Sequence, residues 1–200
     1  MKIIKIDPNR PQLKAIESAV KVLEHGGVIV YPTDTCYGLG ADAYNPIAVD
    51  KIYKIKGRGA SKPLSVIVKN ISQIEKKTEV NQAQKKYLKK YLPGPVTFIL
   101  LNTNFKFLKQ NTLGIRIPDF KITKLLSDNF SNPYTTTSAN ISGKDVCYST
   151  EELIKQFSEN EIKPDLLLDA GVLSKSLPST IADIITLPPK IIRQGSVKIK

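Results

Sequence analysis

Gly27-Val28-Ile29-Val30-Tyr31-Pro32-Thr33-Asp34-Thr35-Cys36-Tyr37-Gly38-Leu39-Gly40 passes from an unbroken apolar run into ten positions dense in turn residues and hydroxyls. The run over 28–31 reads as a buried strand. The following proline, aspartate and glycines suffice for a turn, and Gly38 and Gly40 are expected to give the chain room to turn away. The two threonines and the tyrosine are more than a turn needs. Open α/β sheets bind ligands beyond the carboxyl ends of their strands, so the stretch reads as a site loop.

Outward from this stretch, strands and helices alternate. Residues 2–6 alternate weakly as a short strand. Leu13, Ile16, Val20 and Leu23 recur at helical spacing, with Pro11 in the first turn and Asp7 and Asn9 as capping candidates. Gly26-Gly27 stops that helix. Asn45-Pro46 starts a second, and Lys56-Gly57-Arg58-Gly59-Ala60-Ser61-Lys62-Pro63 follows as a basic loop. Strands are expected at 64–68, 96–101, 114–118, 134–137, 166–169, 180–185 and 191–193. Two lysine-rich helices fill 71–92, a helix capped by Asp119 runs to about Phe130, and another lies near 150–158. The late strands lack helices between them. The pattern therefore specifies a twisted, mixed open α/β sheet with packed helices, in a single domain over 1–200.

Composition narrows the function. The chain has 200 residues, 41% hydrophobic and 24% charged, as in ordinary globular proteins. It has no transmembrane-length apolar run and no signal-peptide pattern, so a cytoplasmic protein without membrane partners is expected. Two cysteines, Cys36 and Cys147, exclude a disulfide framework and show no metal spacing. The only histidine, His25, ends a helix and reads as structural, which makes an acyl-transfer triad a poor fit. The net charge of +12 is carried largely by helical lysines, and either solvates the surface or draws polyanions.

The polar constellations favour phosphate chemistry. Lys56, Arg58 and Lys62 place three cations in seven residues among glycines, which suits phosphate oxygens as well as solvent. No Walker A loop or dinucleotide fingerprint is present. Arg116 lies in Leu113-Gly114-Ile115-Arg116-Ile117 on the face opposite Ile115 and Ile117, directed to solvent or into a cleft. Arg193 has a similar setting. Ser138-Ala139-Asn140-Ile141-Ser142-Gly143 is a second hydroxyl and amide loop after a strand, and Pro178-Ser179-Thr180 is a third. Such a set has few acid–base groups and suits reactions governed by positioning and charge neutralisation.

Taken in order, these motifs resemble the YrdC family, the threonylcarbamoyl-AMP synthases. The matching pieces are Gly26-Gly27 with Tyr31 to Leu39, Lys56-x-Arg58-x-x-x-Lys62-Pro63-Leu64, Pro93-Gly94-Pro95-x-Thr97 and Arg116-Ile117-Pro118. Ser138-Ala139-Asn140-x-Ser142-Gly143, Ser179-Thr180-Ile181-x-Asp183 and Arg193-x-Gly195 complete them. The resemblance spans about residues 10–196 and implies a large basic concave cleft. It implies a nucleotidyltransferase that joins L-threonine, bicarbonate and ATP into threonylcarbamoyl-adenylate and pyrophosphate, towards the t6A modification of tRNA. The threonine amine would take up CO2, and the carbamate would attack the α-phosphate without a covalent enzyme intermediate.

By position, the resemblance puts Thr33, Lys62, Arg116, Thr136 and Ser179 at the threonine. It puts Lys56, Arg58, Lys62, Thr112, Ser138, Asn140 and Arg193 at ATP, with Lys56 and Arg58 as the catalytic pair. Mg2+ would arrive on the phosphates, with no protein metal site and no tightly bound cofactor. Weak tRNA or double-stranded RNA binding and a downstream threonylcarbamoyl transferase are the implied macromolecular partners. The chain stops where longer members continue, which implies the short type. The alternatives are an RNA-binding module on the same scaffold and a YciO-like relative with another substrate. Asp34 and Cys36 receive no role.

Overall fold

The fold is that of a computed structural model, which describes residues 1–57, 59, 63–108 and 111–200. Among the described residues ten strands form one sheet: β1 (Lys2–Lys5), β2 (Ile29–Pro32), β3 (Tyr37–Gly40), β4 (Ser65–Ile67), β5 (Val96–Leu101), β6 (Thr112–Arg116), β7 (Tyr134–Ser138), β8 (Leu166–Asp169), β9 (Thr180–Asp183) and β10 (Lys190–Arg193). Six α-helices among the described residues accompany them: α1 (Leu13–Glu24), α2 (Pro46–Lys56), α3 (Ile71–Lys77), α4 (Gln82–Tyr91), α5 (Lys121–Asn129) and α6 (Thr150–Phe157). The strand order is β1-β8-β2-β3-β7-β4-β6-β5-β9-β10. Parallel pairs (β1/β8, β2/β8, β4/β6, β5/β9) and antiparallel pairs (β2/β3, β3/β7, β4/β7, β5/β6, β9/β10) are interleaved, so the mixed sheet expected from the sequence is present.

The two faces of the sheet are covered unequally, and this creates the site. Val30, Leu39, Val66, Phe98, Ile115 and Leu167 point to one face and pack with Ile52 of α2, Ile74 of α3, Leu88 of α4 and Leu153 of α6. On the other face Ile29, Tyr31, Ile67, Tyr134 and Leu166 pack with Ile16 and Val20 of α1 and Ile122 and Leu126 of α5. Those two helices reach only part of that face. Over the remainder the alternate positions are Ser65, Thr97, Gly114, Arg116, Thr136 and Ser138, polar or side-chain-free, and no helix among the described residues covers them.

Four local expectations are corrected. The opening stretch is a hairpin, not a strand followed by a loop: β2 and β3 pair antiparallel with Tyr31 opposite Gly38, and only Thr33–Cys36 form the turn. Gly38 and Gly40 lie inside β3, where a Cβ would sit 3.0 Å and 2.9 Å from the Tyr31 ring, and at Gly40 also 2.6 Å from Thr135 O, so they make room for cross-strand neighbours rather than for a change of direction. Asp7 accepts from the backbone of Asn9 and Arg10 in a turn ahead of α1, whose N-cap is Gln12; likewise Phe120, not Asp119, precedes α5. By contrast Asn45 caps α2 through two backbone N–H groups, and Ser149 with Glu152 forms a capping box on α6.

Candidate active site

The Thr33–Cys36 turn is built around one hydroxyl. Thr33 Oγ1 donates to Cys36 O at 2.7 Å and accepts from Thr35 N at 3.1 Å, while Thr33 N donates to the same carbonyl at 3.2 Å. At the end of β6, Arg116 Nη2 donates to Asp34 Oδ1 at 2.6 Å, with both side chains about nine-tenths buried. On β7, Thr136 Oγ1 accepts from the buried Tyr31 hydroxyl at 2.9 Å. At the entry to β9, Ser179 Oγ lies 3.1 Å from Thr97 Oγ1, and Ser179 O and Oγ accept from Arg193 at 2.9 to 3.1 Å. Burial and the nearby Arg116 charge pull the Arg193 proton affinity down, which places two guanidiniums at one opening.

These groups surround a cavity of about 500 Å³ over the uncovered part of the sheet. Its floor is Ser65, Thr97, Arg116, Thr136 and Ser138; Thr33, Thr35 and Cys36 form one wall, and Ser179 with Arg193 another. A strap from the segment after β8 crosses the mouth, where Ser176 Oγ donates to Thr35 O at 2.9 Å and Tyr148 OH donates to Ser176 O at 3.2 Å. Gly114 lies between two of the floor residues, where a Cβ would collide with Ser65 Oγ and press on Thr97 Cγ2 at 3.2 Å. A second cavity of about 510 Å³, lined by Val68, Ile71, Leu92, Ile117 and Phe120, is largely apolar and contains none of the hydroxyl loops.

Lys56 occupies an unexpected position. It is the last residue of α2 rather than part of the basic loop, and it is 3% exposed. Its ammonium donates to Ser138 O at 2.5 Å, Asn140 O at 2.8 Å and Asn140 Oδ1 at 3.1 Å. Asn140 in turn accepts from Ser138 Oγ and donates to Ile141 O and Lys144 O. Lys56 and Asn140 are therefore braces beneath the loop that presents Ser138, one layer behind the cavity wall.

Of the residues expected at the site, Thr33, Arg116, Thr136, Ser138, Ser179 and Arg193 meet around one cavity. Thr112 shares a strand and a face with Arg116 but lies four residues away, ~13 Å along the strand, and pairs with Leu101. Arg58 and Lys62 lie outside the described residues. Sequence reasoning gave no role to Asp34, Thr35, Ser65 and Ser176; the legible signal was the polar residue at alternate positions of Ser65-Val66-Ile67 and Val96-Thr97-Phe98. Cys36 lines the wall, but burial pushes its thiol up, and Cys147 is held up to about 12 by burial and Glu152, so neither serves as a thiolate. Among the described residues no helix is long and apolar enough to cross a membrane, and no group of three His, Cys, Asp or Glu side chains stands together.

A twisted mixed sheet with a hydroxyl- and arginine-lined hollow on its half-covered face defines the class to which this chain belongs. The model of the Sua5, YciO and YrdC family, described as "Telomere recombination", matches residues 21–195, and the chain is a member of that family. A Methanocaldococcus jannaschii protein, provisionally named a threonylcarbamoyl-AMP synthase, is 39% identical over 100% of this chain and 95% of its own. Escherichia coli YciO is 30% identical over 98% of this chain and 96% of its own, and its crystal structure superposes with a TM-score of 0.88. The crystal structure of P. abyssi Sua5 complexed with L-threonine superposes with a TM-score of 0.89 at 29% identity, over 98% of this chain. This chain spans 58% of that longer Sua5.

Proposed function

We propose that this protein is a threonylcarbamoyl-AMP synthase, a nucleotidyltransferase that condenses L-threonine, bicarbonate and ATP into threonylcarbamoyl-adenylate, pyrophosphate and water for tRNA t6A modification. The observation that supports this most is the convergence on one cavity of six residues from motifs spread between positions 33 and 193: Thr33, Arg116, Thr136, Ser138, Ser179 and Arg193. The names of the M. jannaschii relative and of the threonine-bound Sua5 agree with it.

The residues divide by chemistry. Arg116, Thr33, Thr136 and Ser179 suit an amino acid, offering a guanidinium for its carboxylate and hydroxyls for its polar edges. Ser138 and Arg193 face the same space and suit the nucleotide, with Arg58 and Lys62 on its phosphates. Once the carbamate has formed on the threonine nitrogen, its oxygen attacks the α-phosphorus and pyrophosphate leaves. The protein's share of that step is alignment and charge neutralisation. Mg2+ would enter on the triphosphate, a mode that needs few protein carboxylates.

The reading extends to a single-domain cytoplasmic enzyme that passes its labile product to a threonylcarbamoyl transferase and contacts RNA weakly at most. The test is pyrophosphate release by the purified protein with MgATP; release that requires both threonine and bicarbonate is expected, and its absence from folded protein rejects the reading. The close match to YciO over nearly the full length of both chains favours one second reading, the same scaffold with another substrate. Stabilisation of the protein by L-threonine in a thermal shift measurement separates the two.

A further inference from the structure

The carboxylate at the tip of the hairpin turn has no role so far. Thr33 hooks the turn closed at two points, so Asp34 projects from a fixed base, while Arg116 projects from the end of a paired strand. Their contact is single-point: Nη2 meets Oδ1 at 2.6 Å, yet Asp34 Oδ2 and Arg116 Nε are both buried and have no hydrogen-bond partner among the described residues. A guanidinium and a carboxylate free to align would join by two parallel bonds and satisfy all four atoms. Buried polar atoms left unpaired call for an explanation other than stability.

The surroundings supply one. Arg193 opens into the same cavity, and the Arg116 charge bears on it. Two guanidiniums alone would present a doubled positive charge and repel each other. With Asp34 attached to Arg116, the two guanidiniums and the carboxylate sum to a single positive charge, which relieves that repulsion. Fixing the guanidinium by one nitrogen also leaves its cavity-facing edge directed and unshared, whereas a two-point pair would engage more of the fork.

We propose that Asp34 is the positioning residue of the amino-acid half of the site: it clamps Arg116 at a single nitrogen so that the remaining edge of the guanidinium receives the substrate carboxylate. The proposal rests on the function given above. Asp34 itself touches no substrate, so its removal acts through Arg116 on the amino acid and leaves the nucleotide half alone.

The test is Asp34→Asn, which keeps the size and an acceptor oxygen but removes the charge. Charge-assisted bonds are about twice as strong as neutral ones, so the KM for L-threonine is expected to rise about tenfold. The KM for ATP should stay within about twofold, while the melting temperature falls because Arg116 is left buried without its counter-charge. The Arg116 Nε–H signal in nitrogen-15 NMR, assigned by its loss in Arg116→Lys, should show hindered rotation of the guanidinium in the wild type and fast rotation in Asp34→Asn. An unchanged KM for threonine in a threonine-dependent enzyme overturns the proposal and leaves the function standing. Parallel rises in both KM values show a merely structural role and overturn it as well. If the wild type shows no response to threonine at all, the function reading fails and the proposal falls with it.

Discussion

The Lys56 ammonium lies 2.8 Å from the backbone oxygen and 3.1 Å from the side-chain oxygen of Asn140, and 2.5 Å from the Ser138 carbonyl. A helix end and a strand-end loop, more than eighty residues apart in the chain, are thereby joined through one buried charge. An ammonium removed from water is tolerated only when oxygens replace its hydration shell, and this loop supplies them. The pattern Lys-x-Arg suggested a phosphate ligand; the geometry makes its first lysine the anchor of the loop that carries Ser138.

Lys56→Met should therefore lower stability as well as activity. It strands buried carbonyls and an amide oxygen, at a cost of about 1–3 kcal/mol, which for a chain of this size is a fall of roughly 3–10 °C in melting temperature. Thermal unfolding followed by circular dichroism reads this directly. A variant that loses ATP binding at an unchanged melting temperature would instead make Lys56 a direct phosphate ligand.

The elements that were legible in the sequence are those whose apolar residues repeat without interruption. Strand β5 was read to its end residues, and α1 was found from Ile16, Val20 and Leu23, because one buried face imposes its period. The hairpin was misread because Gly38 and Gly40 resemble turn residues, when their absent side chains are required by cross-strand neighbours, the ring of Tyr31 and, at Gly40, also Thr135 O. Six of the residues that the resemblance marks line one cavity; Arg116, Thr136, Ser138 and Arg193 stand inside strands, where a polar side chain has to face something, whereas Thr33 and Ser179 lie just outside strand ends and are marked by their motifs alone. The Asp34–Arg116 pair was not legible, since no local pattern links residues 82 positions apart.

Arg193 illustrates how a fork differs from a point charge. Nε and Nη2 both donate to Ser179 O, and Nη2 also reaches Ser179 Oγ, so the planar group is aligned along the entry to β9. Arg193→Lys keeps the charge but cannot make that set of contacts. Turnover is expected to fall at least about tenfold, the equivalent of one charge-assisted bond, with little change in melting temperature. Steady-state kinetics at saturating substrates provide the check, and full activity in the variant would show that charge alone matters there.

Gly114 tests whether the floor must be flat. Its neighbours on the cavity face are Ser65 and Thr97, and a Cβ would meet both. In Gly114→Val the two hydroxyl side chains must move apart. The Thr97–Ser179 contact and the Arg193 seat behind it should loosen together. The expectation is a folded protein with native circular dichroism whose response to L-threonine in thermal shift is lost. A native-like response in this variant would place the amino acid elsewhere in the cavity.

Alkaline pH should expose the buried titrating groups in a defined order. Burial, followed by Glu152 and Cys36, raises the Cys147 thiol from 9.0 to about 12. The folded chain thus keeps a proton that the unfolded chain loses near pH 9. A raised folded-state pKa contributes stability that is complete below pH 9 and is lost as pH climbs from 9 towards 12. Tyr31 and Tyr134, both fully buried and both raised by desolvation, act in the same direction from about pH 10 upward. Guanidinium midpoints should be level from pH 7 to about 9 and then decline; the Cys36 thiol, also raised by burial, acts from the same pH, so the onset should be delayed when Cys36→Ala and Cys147→Ala are combined. Deprotonation of the lysines that give the chain its charge of +12 works against this decline, because it relieves self-repulsion. Thiolate absorbance that rises near pH 9 in the folded Cys36→Ala variant would show that Cys147 is not shielded as the structure has it.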